Sequence, residues 1–295
     1  MQDAIGDYEG IRPINQQKNM LVTASIVAYH TRQEDLDRVL ECALRSPIGK
    51  IYLIDHSTHD ALRLKVADNP KIHYIHSLNI GYGGGHNIAL RLAVDAGAKY
   101  HAVLNPDIYW SDNVIAGLTE FMEQHPDCGL VMPRICYPDG SIQRLCKLLP
   151  TPINLLVRRF VPFESLRRRL DYRYEMQWAD YSRTMEVPSL SGCFMFMRCD
   201  VLQRTGFFDE RFFMYAEDLD LCRRIGQVAQ TVYYPGVSVC HKYEKGSYKN
   251  RKLLKCHIRS VIQYFNKWGW FFDPERRRRN SACVRTIKHT IPNRL

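Results

Sequence analysis

Apolar and polar positions alternate along this chain in blocks, and the blocks read as short buried strands separated by amphipathic helices. Leu21 to Tyr29 (LVTASIVAY) is a near-continuous apolar, β-branched run, the pattern of a strand covered on both faces. In Glu34 to Leu44 the apolar residues Leu36, Val39, Leu40, Ala43 and Leu44 recur at helical spacing. Lys50 to Ile54 predicts a second buried strand that stops at Asp55. Asp60 to Val66 reads as a short helix and Ile72 to Ile75 as a short third strand. A glycine-rich loop, Gly81 to Gly85, precedes a helical pattern over Asn87 to Ala96. Ala102 to Leu104 is a strand ending at Asn105-Pro106-Asp107, followed by a helix over Asn113 to Glu123 and a strand around Gly129 to Met132.

This alternation predicts a mostly parallel sheet with helices on both faces. Such sheets bind ligands at the carboxyl ends of their strands. Polar residues stand at those ends here: Tyr29-His30, Asp55 and Asn105-Pro106-Asp107. Residues 150–185 break the pattern with Arg158, Arg159, Arg167, Arg168, Arg169, Tyr172, Tyr174 and Trp178, and read as an insertion, a lid or an acceptor-side surface. Gln230 to Tyr234 is a strand, Pro235-Gly236 a turn, and Val237 to Cys240 leads to His241. Beyond it Leu254, Ile258, Val261, Ile262, Phe265 and Trp268 fall at helical spacing among Lys249, Arg251, Lys252, Lys255 and Arg259.

With 295 residues and 45% hydrophobic content, one large α/β domain with an appendage is possible, as are two small domains. The net charge of +10 fits nucleic acid, an anionic membrane surface or a phosphorylated substrate. The 10 cysteines are scattered singly, with no Cys-x-x-Cys, which argues against a zinc ribbon. Residues 1–19 form a polar arm without the apolar core of a secretory signal, so reduced thiols in a cytosolic protein are expected. No run reaches the roughly 18 apolar residues of a membrane span.

The richest stretch is Ser189 to Arg224. A small, apolar run from Ser191 to Met197 predicts a strand, Cys199 to Thr205 a short helix, and Phe207 to Tyr215 an aromatic loop. Glu217, Asp218 and Asp220 follow, before Leu221, Cys222, Arg223 and Arg224. Carboxylates at a helix start complement its positive end. An aromatic loop leading into clustered acids also holds a general base in a cleft, where apolar walls and a like-charged neighbour raise its pKa. Residue types alone leave both readings open.

Taken together, ASIVAYHT, IDHSTHD, NIGYGGGHNIAL, LNPDI, SLSGCFMFMR, GFFDERFFMYAEDLDLCRR and the later His241 resemble a family 2 glycosyltransferase of GT-A fold. The subgroup resembled is the bacterial rhamnosyltransferases of surface-polysaccharide assembly. The resemblance spans residues 20–245, and it rests on the order of these motifs rather than on any one of them. It implies a Rossmann-like central sheet and transfer of a sugar from a nucleoside diphosphate to an acceptor hydroxyl, with inversion.

The resemblance also implies roles. Asn105-Pro106-Asp107 resembles the Asp-x-Asp element, in which the last carboxylate holds Mg²⁺ or Mn²⁺ on the diphosphate. Asn at the first place leaves one charge fewer, and a plain turn residue is the alternative for Asp107. Asp55 matches the acid that binds base or ribose, Ala28 and Tyr29 end the strand that seats the base, and Gly84 and Gly85 belong to a loop beneath the nucleotide, with Asn87 reaching sugar or phosphate. No lysine follows the glycines as in a phosphate-binding Gly-x-x-x-x-Gly-Lys loop. Asp218 is implied as base with Glu217 in support, Asp220 as a helix cap, and His241 as a ligand of metal or diphosphate.

The expectation is therefore an arm over residues 1–19, a GT-A domain over 20–245 and a basic, aromatic helical extension over 246–295. The implied reaction moves a hexose, rhamnose from dTDP-rhamnose first, or else galactose or glucose from UDP, to a lipid-linked polysaccharide intermediate. The extension either packs on the domain or lies on an anionic membrane, with Trp268, Trp270, Phe271 and Phe272 at the interface and Arg276 to Arg279 on headgroups. The membrane reading puts the enzyme in the cytoplasm, on the inner face of the cell membrane. The rivals are a nucleotidyltransferase, a non-catalytic carbohydrate-binding relative and a nucleic-acid-binding protein. The last lacks a recognisable motif, so no nucleic acid partner is expected.

Overall fold

The computed structural model describes residues 21–111, 113–157, 163–242 and 251–290. The polar arm over 1–19, together with Arg158, Arg159 and Lys249, lies outside them. The first half alternates as its pattern predicts: β1 (Val22–Ala28), α1 (Gln33–Arg45), β2 (Lys50–Asp55), α2 (Arg63–Val66), β3 (Ile72–His76), α3 (Tyr82–Asp95) and β4 (Tyr100–Leu104). β5 (Ile108–Trp110), α4 (Val114–Gln124) and β6 (Cys128–Cys136) follow. After one π-helical turn (Ile153–Val157) come α5 (Glu164–Tyr174), β7 (Met185–Glu186), β8 (Phe194–Arg198), α6 (Cys199–Thr205), α7 (Glu217–Ile225) and β9 (Gln230–His241). Two helices end the described chain, α8 (Arg251–Trp268) and α9 (Pro274–Thr290).

The strands form one nine-stranded sheet in the order β3-β2-β1-β4-β8-β6-β9-β5, with β7 also on β9. The β3-β2-β1-β4 half is parallel, as the buried apolar runs require. Beyond β4 the sheet is mixed: β8 runs antiparallel to both β4 and β6, while β6 and β9 pair in parallel. The chain lays β1, β2 and β3 outward to one side, then crosses back to set β4 on the other side of β1. That reversal opens a crevice at the carboxyl ends of β1 and β4.

Three local readings change. The glycine run is the first turn of α3 rather than a separate loop. Pro235-Gly236 does not end the strand, because β9 continues to His241 with residues 235–237 bulged out between the pairs Pro133–Tyr234 and Arg134–Ser238. Segment 150–185 is anchored at its far end: Met176, Ala179 and Tyr181 enter the main core, and the Tyr233 hydroxyl donates to Tyr181 O at 2.9 Å.

The two C-terminal helices pack on the domain. Val261, Tyr264 and Phe265 of α8 form a second core with Leu149, Phe212, Ala216 and Leu219. Cys283 and Ile287 of α9 join the main core. Arg223 on α7 is fully buried and makes paired bonds of 2.7 and 2.6 Å to Asp273, with the Trp268 ring 4.2 Å from its guanidinium carbon. The loop between α8 and α9 leaves Phe271 and Phe272 exposed, the latter by 93%.

Candidate active site

The β1 and β2 ends form the floor of the crevice. Ala28 is buried and Tyr29 exposed, stacked edge-on against His30. Asp55 is fully buried, and both its oxygens are taken: Oδ1 accepts from the Ser57 amide at 2.9 Å and Oδ2 from the Tyr74 hydroxyl at 2.9 Å. Asp55 therefore shapes the turn after β2, and each of its oxygens keeps a second lone-pair direction. The glycines serve close packing. A Cβ on Gly85 would stand 2.7 Å from His56 Cε1 and 2.9 Å from Val27 Cγ2, and one on Gly84 would stand 3.1 Å from Ile80 Cγ1. Gly85 thus lets α3 lie directly against β1.

Asn87 has a different task from the expected contact with sugar or phosphate. Its amide donates to Phe208 O and Glu210 Oε1, both at 2.9 Å, and its carbonyl accepts from the Phe208 amide at 2.9 Å. It staples the aromatic loop to α3. Both ends of the side chain are committed, and the residue is buried.

The Asn105-Pro106-Asp107 turn leaves β4 and enters β5. Asn105 is tied by its amide to Cys193 O at 3.0 Å, which fixes the end of β4 beside the start of β8. β5 pairs antiparallel with β9 so that Ile108 opposes His241, and this register brings His241 to Asp107. Nε2 of His241 is 3.4 Å from Oδ1 of Asp107, a buried oxygen with no hydrogen-bond partner. Gln143 donates its Nε2 to His241 O at 2.7 Å, so its Oε1 faces His241 Nδ1 at 3.0 Å and accepts the proton there. The neutral ring then turns a lone pair on Nε2 toward the carboxylate. Two acceptors facing each other need a positive charge between them. In the bare protein a second proton supplies it: burial opposes charging His241, but Asp107 and Cys193 outweigh burial and raise its pKa to about 10. A divalent cation fits the same place, with one carboxylate oxygen and one imidazole nitrogen as protein ligands.

The acids stand on the other side of the crevice. Tyr215 and Ala216 both adopt left-handed backbone (φ 71° and 65°), which costs non-glycine residues about 1–2 kcal/mol each. This kink starts α7 and turns Glu217 and Asp218 inward. Asp218 is half-buried, with Oδ2 accepting from the Gly192 amide at 2.9 Å and Oδ1 from the Leu219 amide at 2.8 Å. Its four lone-pair directions leave room for a substrate hydroxyl. Glu217 is only 6% exposed and its Oε2 has no partner. Burial first, and the Asp218 charge second, hold its carboxyl well above the usual range, which favours the protonated form. Asp220 is not the helix cap that its position suggests. It is fully buried against Trp268, Lys267 and Arg224.

Between the two groups lies Tyr82, whose hydroxyl donates to Gly192 O at 2.6 Å. Burial raises its pKa well above the usual value, and the neighbouring Glu217, Cys193, Asp218 and Asp107 push the same way. Its surroundings therefore join the metal-side pair to the acids. Tyr82 and Gln143 were not singled out from sequence. Tyr82 was masked by the glycines that follow it, and Gln143 lies in a loop with no motif. A pocket of about 190 Å³ opens beside Asp218, walled by Lys147, Tyr174, Tyr215 and His257.

This arrangement is similar to known proteins at three levels. The family model described as Glycosyl transferase family 2 matches residues 25–206. An N-acetylglucosaminyl-diphospho-decaprenol L-rhamnosyltransferase of Mycobacterium tuberculosis is 29% identical over 213 residues, covering 68% of this chain and 69% of that protein. The Haloferax volcanii low-salt glycan biosynthesis hexosyltransferase Agl10 is 27% identical, covering 70% of this chain and 63% of its own. The rhamnosyltransferase WbbL of Escherichia coli K12 is 24% identical, covering 81% and 90%. Among solved structures, GalNAc-T7 with UDP, GalNAc and Mn²⁺ superimposes with a TM-score of 0.59 at 14% identity, covering 84% of this chain. The chain spans 48% of the length of that structure. S. aureus TarS with UDP superimposes with a TM-score of 0.51 at 12% identity, covering 82% of this chain and 66% of its own. These structures establish a shared fold.

Proposed function

The chain belongs to glycosyl transferase family 2 and is a nucleotide-sugar-dependent glycosyltransferase, and on that premise we propose that it transfers L-rhamnose from dTDP-rhamnose to a hydroxyl of a lipid-linked saccharide, with inversion. The observation that carries the reading is the convergence on one crevice of the Asp107–His241 pair and Asp218. The rhamnosyl donor follows the names of the mycobacterial and E. coli relatives, and the lipid-linked acceptor follows the mycobacterial name. The H. volcanii relative, a hexosyltransferase, supports a UDP-hexose donor as the second reading.

The chemistry divides among this chain's residues. Asp107 and His241 would hold a divalent cation, Mg²⁺ or Mn²⁺, whose charge would neutralise the departing diphosphate. Ala28 and Tyr29 line the nucleoside end of the crevice. Asp218, oriented by two backbone amides, accepts the proton of the acceptor hydroxyl as that oxygen attacks the anomeric carbon from the face opposite the leaving group. Beside it the Glu217 carboxyl, held well above the usual range by burial and by the Asp218 charge, favours its protonated form and so limits the negative charge in the site.

The polar rim of α8 and α9 with the exposed Phe271 and Phe272 fits an anionic membrane surface, which would bring the enzyme to a lipid-borne acceptor from the cytoplasmic side. No described helix is long and apolar enough to cross a membrane.

The test is transfer from dTDP-rhamnose, and from UDP-galactose and UDP-glucose in parallel, to diphospholipid-linked N-acetylglucosamine with Mn²⁺, followed by mass spectrometry. Gain of one deoxyhexose supports the proposal and gain of one hexose supports the second reading. No product from any donor, with thermal shifts absent for dTDP and UDP, overturns both.

A further inference from the structure

The pocket beside Asp218 joins residues that the family model covers to residues beyond its end. That model ends at residue 206, whereas Tyr215, Asp218, His257 and Val261 follow it. Segment 145–174 supplies the opposite wall through Lys147, Leu155 and Tyr174. The walls are held firmly. Ser260 of α8 donates to Met214 O at 2.8 Å, and the His257 ring meets Tyr215 edge-on at 5.2 Å. Lys147 is fixed by its amide bond to Ser189 O at 3.0 Å, and its ammonium lies 5.8 Å from the centre of the Tyr174 ring. The left-handed pair Tyr215–Ala216 is thus kept in place by α8 from outside.

The lining has a distinct chemistry. Tyr174, Tyr215 and His257 offer ring faces and edges of the kind that pack on the C–H face of a pyranose. Among the described residues Lys147 is the one lysine or arginine in the lining, which it shares with Glu217 and Asp218, and it is a point charge suited to phosphate. Glu217 is buried and unpartnered on its Oε2, and in its protonated form it offers an O–H to a sugar oxygen. None of the lining residues belongs to β1 or β4, over whose ends the donor crevice opens.

We propose that this pocket is the acceptor subsite, that its aromatic walls seat a sugar ring with one hydroxyl at Asp218, and that Lys147 selects acceptors whose sugar carries a phosphate on its anomeric oxygen. The proposal rests on the transfer to a lipid-linked saccharide argued above. It makes α8 a specificity element: His257 shapes the acceptor wall, while the donor half of the crevice is complete without it.

The experiment uses the full chain loaded with Mn²⁺ and dTDP or UDP. Two probes are compared by saturation-transfer NMR, decyl-diphosphate-linked N-acetylglucosamine and the neutral decyl N-acetylglucosaminide. Lys147→Met is expected to weaken the diphosphate probe tenfold or more and leave the neutral one unchanged. His257→Ala is expected to weaken both probes to a similar degree, and His257→Phe to restore them by returning a ring. Nucleotide affinity stays at the wild-type value in all three variants, which also shows that they fold. Unchanged affinity for both probes in Lys147→Met and His257→Ala overturns the proposal, as does parallel loss of nucleotide. If the wild type binds the probes but no nucleotide, the donor reading fails while the pocket assignment stands.

Discussion

Trp268 donates its indole N–H to the buried Oδ1 of Asp220 across 2.7 Å, and Lys267 reaches the same oxygen at 2.7 Å. This contact separates the acids of α7 by function. Asp220 faces the C-terminal helices, whereas Asp218, two residues earlier, faces the crevice. Asp218→Asn is therefore expected to lower transfer about 100- to 10,000-fold while leaving nucleotide binding and melting temperature unchanged. Asp220→Asn is expected to cost about 3 kcal/mol of stability, because it strands buried cations. Steady-state rates and urea unfolding of the two variants check this. The reverse pattern would transfer the base role to Asp220.

The Arg223–Asp273 pair yields a stability prediction of its own. Both side chains are almost fully buried, so Asp273→Asn leaves the guanidinium only the longer, 3.3 Å contact to Glu275 and is expected to cost about 3 kcal/mol. Replacing both, as Arg223→Met with Asp273→Leu, is expected to recover much of that loss. A double-mutant cycle by chemical denaturation measures the coupling, and additive losses would mean that the pair does not act as a unit.

Gln143 orients His241 from behind. Gln143→Leu removes both bonds, and Mn²⁺ affinity in the presence of UDP or dTDP is expected to fall about 10- to 100-fold. Asp107→Asn is expected to abolish metal-dependent binding altogether. Titration calorimetry reads both, and wild-type Mn²⁺ affinity in the Gln143 variant would rule out its orienting role.

A buried polar chain runs beneath the crevice. His101 bonds Thr23 and Ser25, each at 2.8 Å, and Ser25 bonds His86 at 2.7 Å. Burial lowers the pKa of His101 to about 3. Burial, with His101 and His56 nearby, lowers that of His86 well below its usual value. The unfolded chain takes up protons at both near pH 6.5, so stability is lost as pH falls from about 6.5 toward 3, by up to about 1.4 kcal/mol per pH unit per histidine. Glu217, with a raised pKa, acts in the opposite sense above about pH 4.5. The comparison that isolates the histidines is wild type against His101→Gln. The variant is expected to show a shallower loss of urea stability between pH 6.5 and 4. Equal slopes would show that His101 does not stay neutral.

The parallel half of the sheet was legible because β1, β2 and β4 are buried on both faces, and continuous apolar runs permit little else. The acids were found by their clustering, and Asp107 and His241 by motif order. The tasks of individual side chains were not legible. Asn87 sits at a position suited to ligand contact, yet its amide is committed to Phe208 and Glu210, and Asp55 also holds Ser57 and Tyr74. Which neighbour a carboxylate or amide meets depends on packing between distant segments, and local pattern carries no record of it. β5 was missed for a similar reason. Three residues are too short for a period, and its partner β9 lies far along the chain.

The pairing of β5 with β9 also sets an order of events. Ile108 meets His241 only through a strand made after most of the domain, and Gln143 is 98 residues from the histidine it orients. The Rossmann-like half closes through nearer contacts, and such contacts form sooner than distant ones. On a ribosome the nucleoside floor would therefore exist before the cation pair does. A nascent chain halted before β9 emerges would have its crevice and Asp107 but not His241, so full grip on a diphosphate waits for β9.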